Sequence, residues 1–556
     1  MTLKSHDIEN IQRDKKDWQS VYRHPLTPAM FLERSRVAYR DVEAVVYGEK
    51  RLTYAELWER VHRLANALKN LGLNKGDRVG LLAPNTLMAL EAHLAVPLGG
   101  WILVPINIRL NSHEIAYILD HAETKVLIID GSLWLEHVDM LQGRESLLDV
   151  ITQIDKHYDK DHKNKNQNVQ DYEMLISQAS ISPHPLAVSD EWEPISIHYT
   201  SGTTGRPKGV MLHHRGAYLN ALSEIIETGM RSEDVYLWTL PMFHAAGWCF
   251  PWAVTAVGGK HVLLPKVDPA EIIKYIETEG VTHLSAAPTV LTMLVQYLQE
   301  QKAVLPRTVH VITAAAPPSP ALLRELEKIG ALVTHVYGLT EVYGPFTVNV
   351  WRKHWDDLPL DERARLKARQ GVPYVGLGEV MVVDTEMNPV PQDGKTMGEV
   401  VMRGNGVMLG YYKNEEETEV AFRGGWFHTG DYGVWHEDGY IELMDRKKDI
   451  IISGGENISS IEVEKILLEH PAVLEVAVIG VPDERWGEVP RAYVTLKPGA
   501  EVTSSELVQF CRERLAHFKC PKDIVFGPLP KTSTGKIQKY VLREEAWRGQ
   551  EKKIHG

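Results

Sequence analysis

Residues 79–108 read VGLLAPNTLMALEAHLAVPLGGWILVPINI, and this run decides the fold. It is the most apolar stretch of the chain, yet Asn85, Glu91, His93 and prolines interrupt it. It therefore lacks the roughly 20 mostly apolar residues of a membrane-spanning helix. The reading is a buried strand, a helix and a second strand. Working outward, residues 53–71 place Leu57, Val61, Leu64, Leu68 and Leu71 at steps of three and four, the period of a helix. Residues 125–130 form an apolar strand run, and further strand–helix units follow at 261–264, 271–279, 283–285 and 289–300. This alternation predicts α/β layers. Residues 155–171 are almost free of apolar side chains and predict a solvated loop, and 351–370, with Arg and Lys at helical spacing, an exposed helix.

The last hundred residues differ. Residues 458–469 predict a helix with Ile461, Ile466 and Leu467 inward, 473–481 and 491–496 strands, 504–518 a second helix, and 523–526 a strand. This is the pattern of a small α+β domain, with a boundary in the charged run 445–449. The expected organisation is thus residues 1–445 and 446–556.

Composition narrows the function. The 556 residues predict three or four domains at about 150 residues each. Apolar residues are 44% and charged residues 24%, which excludes long disorder, collagen and coiled coil as the main architecture. A net charge of −13 disfavours nucleic acid and anionic membranes as partners. Three cysteines (Cys249, Cys511, Cys520) make no disulfide framework and have no metal-finger spacing, which favours a reducing compartment. The start is polar, with no apolar signal core, and the final Ile554-His555-Gly556 is not a peroxisomal tripeptide. The expected location is cytoplasmic, and self-association is left open.

Five segments carry chemistry. Tyr199-Thr-Ser-Gly-Thr-Thr-Gly-Arg-Pro-Lys-Gly209 packs glycines, hydroxyls and Lys208 into eleven residues, donors suited to wrapping phosphate oxygens. It is not a Walker A loop, because Gly209 follows the lysine. Tyr337-Gly-Leu-Thr-Glu341 offers an aromatic face, a hydroxyl and a carboxylate after an apolar strand. Gly425-Trp-Phe-His-Thr-Gly-Asp431, the run from Asp445 to Asn457, and Pro530-Lys-Thr-Ser-Thr-Gly-Lys536 complete the set. Read singly, each is an ordinary turn, charged face or exposed lysine.

Together, in this order and at these separations, they resemble the signature set of the acyl-adenylating superfamily of acyl-CoA synthetases, peptide-synthetase adenylation domains and luciferases. Residues 241–252 (Pro-Met-Phe-His-Ala-Ala-Gly-Trp-Cys-Phe-Pro-Trp) and 366–373 look like the short- and medium-chain fatty acyl-CoA synthetase branch. The resemblance implies a large N-terminal adenylate-forming domain of layered α/β subdomains and a small mobile C-terminal domain. It implies ATP, Mg²⁺ and coenzyme A, with AMP as product.

By position, the resemblance gives Thr200, Ser201, Gly202, Thr203, Thr204 and Lys208 to the β- and γ-phosphates. Thr340 goes to the α-phosphate, Glu341 to Mg²⁺, and Lys536 to charge developing on the α-phosphoryl group. Tyr337 packs on adenine beside Ala314, Ala315, Ala316 and Pro317, and Asp431 takes the ribose hydroxyls, with Arg446 on the ribose or phosphate side. Lys448 stands at the hinge, and Ser453, Gly454 and Gly455 line the pantetheine tunnel. The family more often has glycine where Ala314 or Ala315 stands.

For the acid, the resemblance points to His244, Gly247, Trp248 and Gly338. In the acetate and propionate branch a tryptophan occupies the position of Gly338, so the expected pocket is open and takes a linear acid of about C4 to C8, each buried methylene adding about 0.8 kcal/mol. Trp248 and Trp252 read equally as core tryptophans, and His244 as a gate or a satisfied core histidine. The alternatives are transfer to a carrier protein, an aromatic acid as substrate, and, from another class, a nucleotide sensor without catalysis.

Overall fold

The computed structural model describes residues 24–141, 147, 149–152, 168–200, 207–446, 449–453, 456–483, 485–531 and 537–548. The N-terminal domain is built on two large sheets. One has eight strands: Arg78–Leu82, Ile102–Pro105, Thr124–Ile129, Asp149–Thr152, Asn168–Asp171 and Pro194–Thr200 run parallel, and Lys208–His213 and Gly410–Tyr411 add antiparallel at one edge. The other has nine, with Val235–Trp238, Lys260–Leu263, His283–Ala286, Val309–Thr313 and Ala331–Leu339 parallel at its centre. A four-stranded antiparallel sheet (Gly378–Val383, Met397–Gly404, Phe427–Trp435, Ile441–Arg446) closes the domain.

Helices Tyr54–Asn70, Leu87–Leu98, His214–Thr228 and Phe250–Val257 lie between the two large sheets, and side chains from both sheets share one core with them. Separate cores cover the outer faces, giving five α and β layers. This explains the 79–108 run: every residue of Leu87–Leu98 is buried. Its one acid, Glu91, meets Arg60 at 2.5 Å and accepts the Tyr172 hydroxyl at 2.5 Å, so the charge is paired rather than stranded. Helix Tyr54–Asn70 starts at a capping box in which Thr53 and Glu56 satisfy each other's backbone N–H groups.

The C-terminal domain carries a five-stranded sheet (Ile451–Ser453, Glu456–Ile458, Val473–Asp483, Gly487–Leu496, Asp523–Phe526) and helices Ser460–Leu468, Ser504–Arg512 and Lys539–Ala546. The four-stranded sheet ends at Arg446 and the next begins at Ile451. Across this junction the Ser460 N–H donates to Asp445 at 2.6 Å and Lys465 meets Glu442 at 2.8 Å. Lys539 is buried on Glu464 at 2.7 Å in the field of both Asp445 and Asp449, and Arg543 pairs with Asp449.

Three expectations need correction. Of the loop at 155–171, residues 155–167 lie outside the described residues, and Asn168–Asp171 is an edge strand paired with Asp149–Thr152. The polar segment 351–370 is α-helical only over Leu360–Lys367, which Pro359 precedes, with a 3₁₀ turn at Lys353–Trp355 before it. Outside that helix two side chains turn inward: Trp355 is buried against Tyr440 and Arg369 forks onto Asp438 at 3.0 and 3.2 Å. The helix expected over 504–518 ends at Arg512, and a 3₁₀ turn at His517–Lys519 precedes Pro521.

Candidate active site

The glycine-rich motif begins at the end of one strand and finishes at the start of the next. Strands Pro194–Thr200 and Lys208–His213 pair antiparallel, with Thr200 opposite Lys208 at the mouth. Ser201, Gly202, Thr203 and Thr204 lie outside the described residues. Lys208 Nζ meets Glu417 at 2.6 Å and stands 5.4 Å from the ring centre of Tyr411. The Tyr411 hydroxyl donates to Glu341 Oε1 at 3.0 Å, and burial together with Glu341's charge raises the Tyr411 pKa. One tyrosine thus ties Lys208 to Glu341. Sequence reasoning missed Tyr411 and Glu417, because only the pairing of Gly410–Tyr411 with Val210 and Met211 brings them here.

A second cluster stands at the ends of neighbouring parallel strands, where α/β sheets leave a crevice. Val309–Thr313 and Ala331–Leu339 are adjacent, so Ala314–Pro317 and Tyr337–Glu341 emerge side by side. The buried Tyr337 hydroxyl donates to Asp431 Oδ2 at 2.8 Å. Asp431 in turn lies directly across the sheet register from Arg446. Thr340 and Glu341 begin a 3₁₀ turn.

Ala315 has φ +74°, the left-handed region where a side chain costs about 1–2 kcal/mol and glycine does not. Ala315→Gly should therefore raise stability by about 0.5–1 kcal/mol after the entropy of glycine is subtracted. Thermal unfolding reads this, and a lowered melting temperature would contradict it.

Gly338 departs from the reading of an open acyl pocket. It lies at a bulge in the antiparallel pair Ala331–Leu339 and Gly344–Val348. A Cβ on it would fall 1.6 Å from the Gly344 carbonyl oxygen. Close backbone approach, not vacant acyl volume, accounts for this glycine.

The segment 241–252 has an unusual backbone: φ is positive at Ala245 (38°), Gly247 (55°), Trp248 (52°) and Cys249 (64°). Packing holds it there. Trp238 leaves no room for a side chain at 247, and Trp248 lies against Gly344. The His244 ring lies tilted against Phe243 with centroids 4.5 Å apart, its Nε2 has no partner among the described residues, and burial pushes its pKa down to about 4, so it is neutral. Trp252 is a core residue, donating to the His93 carbonyl at 3.1 Å.

In the C-terminal domain Ser453 is buried and pairs with Gly487. Lys448, Gly454, Gly455 and Lys536 lie outside the described residues. Among the described residues no three His, Cys, Asp or Glu side chains converge as a metal cage. Mg²⁺ that arrives on nucleotide phosphates needs only one or two carboxylates, and Glu341, linked to Lys208 through Tyr411, is a donor of that kind.

Residues 32–412 match the family described as AMP-binding enzyme, and 462–536 match the AMP-binding enzyme C-terminal domain. The chain belongs to the AMP-binding enzyme family. It is similar to 4-hydroxybutyrate–CoA ligase 2 of Metallosphaera sedula, 48% identical over 95% of each chain. It is also similar to acetate/butyrate–CoA ligase AAE7 of Arabidopsis thaliana, 45% identical over 98% of this chain and 97% of that one. Among solved structures, the anthranilate CoA ligase AuaEII in complex with anthranoyl-AMP matches with TM-score 0.83 at 27% identity, over 94% of this chain and 98% of that one. This AMP-binding enzyme is an AMP-forming acid–CoA ligase, with ATP and CoA as substrates. The large and small α/β domains expected from the motifs are those of this family. No described helix is long and apolar enough to cross a membrane.

Proposed function

We propose that this ligase activates a short-chain carboxylic acid of two to four carbons, with four-carbon acids preferred, and passes the acyl group to CoA. Two relatives carry names with acetate, butyrate or 4-hydroxybutyrate, and a third, from Humulus lupulus, carries 2-methylpropanoate. Four-carbon acids recur in all three of those names. The observation that carries the catalytic reading is convergence: segments near 208, 341 and 411 form one cluster, and 337 and 431 another.

In the first half-reaction a carboxylate oxygen attacks the α-phosphorus of ATP, and the bond to pyrophosphate breaks. In the second, the CoA thiol attacks the acyl carbon, loses its proton, and AMP leaves. Thr200, Ser201, Gly202, Thr203, Thr204 and Lys208 hold the β- and γ-phosphates. Glu341 would hold Mg²⁺, which would supply charge neutralisation on the phosphates. Thr340 donates to the α-phosphate. Tyr337, fixed through its hydroxyl by Asp431, presents its ring to adenine between the strand ends, and Asp431 accepts from the ribose hydroxyls, with Arg446 beside it. Neutral His244 and the Gly247–Trp248 turn border the acid, and Ser453, Gly454 and Gly455 flank the path of pantetheine.

Lys536 acts in the first step only, and rotation about Lys448 removes it for the second. Lys536→Ala should lower acid-dependent pyrophosphate exchange by about a hundredfold or more, the scale of one lost charge-stabilising group. Thioester formation from supplied acyl-AMP should stay within severalfold. Equal loss in both single-turnover assays would refute the assignment.

The direct test incubates the protein with ATP, Mg²⁺, CoA and linear acids from acetate to dodecanoate, and quantifies acyl-CoA and AMP by mass spectrometry. Butyryl-CoA is expected as the main product. Acyl-AMP without acyl-CoA would indicate a carrier-protein acceptor. AMP formation only with aromatic acids, or with none, would overturn the short-chain reading.

A further inference from the structure

Lys208 is paired with a carboxylate that the motifs did not include. Its Nζ meets Glu417 Oε2 at 2.6 Å, and the two side chains are 16% and 37% exposed, so the pair is only partly open to water. The fold builds this contact from elements far apart in sequence. Lys208 opens strand Lys208–His213, and Glu417 lies in the first turn of helix Glu415–Ala421. The Asn414 side chain caps that helix, accepting the Glu417 N–H at 3.2 Å. Thr418 Oγ1 accepts the Tyr411 N–H at 2.9 Å and so ties the helix to strand Gly410–Tyr411. That strand pairs with Val210 and Met211, and the Tyr412 N–H donates to the Gly209 carbonyl at 2.7 Å. The backbone thus sets both partners, and of the three glutamates in the turn Glu417 is the one placed against Lys208.

The surroundings make this pair a rival of phosphate. The Lys208 ammonium stands 5.4 Å from the centre of the Tyr411 ring, and the Tyr411 hydroxyl donates to Glu341 at 3.0 Å. One ammonium therefore has a carboxylate in direct contact and a second one tyrosine away. A carboxylate oxygen and a phosphate oxygen compete for the same N–H donors. They also repel each other, more strongly at a partly buried site than in bulk water. Of the two partners, Glu417 is the more exposed, so it is the one able to swing into solvent while Lys208 stays beside the Tyr411 ring.

We propose that Glu417 stands in for a phosphate on Lys208 and so sets the affinity of the site for the β- and γ-phosphates. The proposal rests on the reading of Lys208 as a phosphate ligand and adds the residue that tunes it. Entry of a polyphosphate breaks the Lys208–Glu417 pair and turns the carboxylate outward. Departure of pyrophosphate lets the pair re-form. Glu417 therefore weakens the hold on ATP and on pyrophosphate alike, and the second effect favours release of the first product. It acts through Lys208 and touches no reacting atom. A nucleotide that lacks those two phosphates does not sense it.

The test titrates ATP with Mg²⁺, pyrophosphate with Mg²⁺, and AMP into the full chain by calorimetry, with acid and CoA left out. Glu417→Gln keeps the size of the side chain and removes its charge. It should bind ATP and pyrophosphate about threefold or more tighter than wild type, while AMP stays within about 1.5-fold. Glu417→Asp keeps the charge and should stay within about twofold of wild type for all three ligands. Lys208→Ala should bind ATP about fivefold or more weakly, the cost of a lost charge partner, and AMP as wild type does. Unchanged or weaker ATP binding by Glu417→Gln, with Lys208→Ala impaired, overturns the proposal; the weaker result would make Glu417 a support of Lys208 or a ligand of the metal. Equal tightening of AMP also overturns it, because the change would then not act through the phosphates. Wild-type ATP affinity in Lys208→Ala overturns instead the phosphate reading of Lys208.

Discussion

Acidification from pH 7 to pH 5 should unfold the N-terminal domain. Seven of its histidines are buried in their neutral form: His93, His213, His244 and His335 have pKa values pushed down to about 4, and His198, His214 and His261 to about 3. Desolvation is the leading cause in every case. The unfolded chain protonates them near pH 6.5, while the folded chain refuses the proton until about 3–4. Between those limits the unfolded state binds more protons, so stability is whole above pH 6.5 and is lost as pH falls. Each histidine contributes about 1.4 kcal/mol per pH unit, so three alone remove about 4 kcal/mol per unit, against a typical total of about 5–15 kcal/mol. Buried carboxyls whose pKa is raised by desolvation, such as Glu224, run the other way, but the seven histidines outnumber them. Calorimetry at pH 7, 6 and 5 should show the first transition falling steeply, with several protons taken up on unfolding. Equal transition temperatures at pH 7 and pH 5 would contradict the burial of these imidazoles.

Gly338→Trp should abolish a stable N-terminal domain rather than retune acid length. A Cβ at this position would stand 1.6 Å from the Gly344 oxygen, so even alanine cannot fit without parting the Ala331–Leu339 and Gly344–Val348 strands. The obstacle is backbone, which has no rotamer to adopt, and the strands it would part carry Tyr337 and run on to Glu341. The expected loss is about 4 kcal/mol or more for Gly338→Ala, the range of severe core disruption, and more for tryptophan. Soluble yield and thermal unfolding read it directly. A well-folded tryptophan variant with normal stability and a shift to acetate would restore the open-pocket reading.

The sequence made the layers legible where burial is complete and periodic. Residues 79–108 spell out a strand, an all-buried helix and a strand, and the structure has them at Arg78–Leu82, Leu87–Leu98 and Ile102–Pro105. Motif residues were legible because their chemistry is local: the paired strand ends at Thr200 and Lys208, and the strand-end Tyr337. Tyr411 and Glu417 were not, since their roles arise from a two-residue strand joining the sheet some two hundred residues after its partner. The short strands Ile451–Ser453 and Glu456–Ile458 escaped for another reason, being too brief to show a period. Gly338 was misread because a missing side chain looks the same in sequence whether it leaves a pocket or admits a backbone.

The left-handed residues Ala245, Gly247, Trp248 and Cys249 limit how the segment they belong to can vary. Most substitutions there must adopt a backbone that β-branched and bulky side chains avoid, so variation in the turn is spent on folding before it reaches selectivity. The surrounding walls carry no such restriction: helix His214–Thr228 and strand Val235–Trp238 are regular elements on which side chains exchange at ordinary cost. Sequence change in this architecture is therefore cheaper in the helix and strand around the segment than in the segment itself.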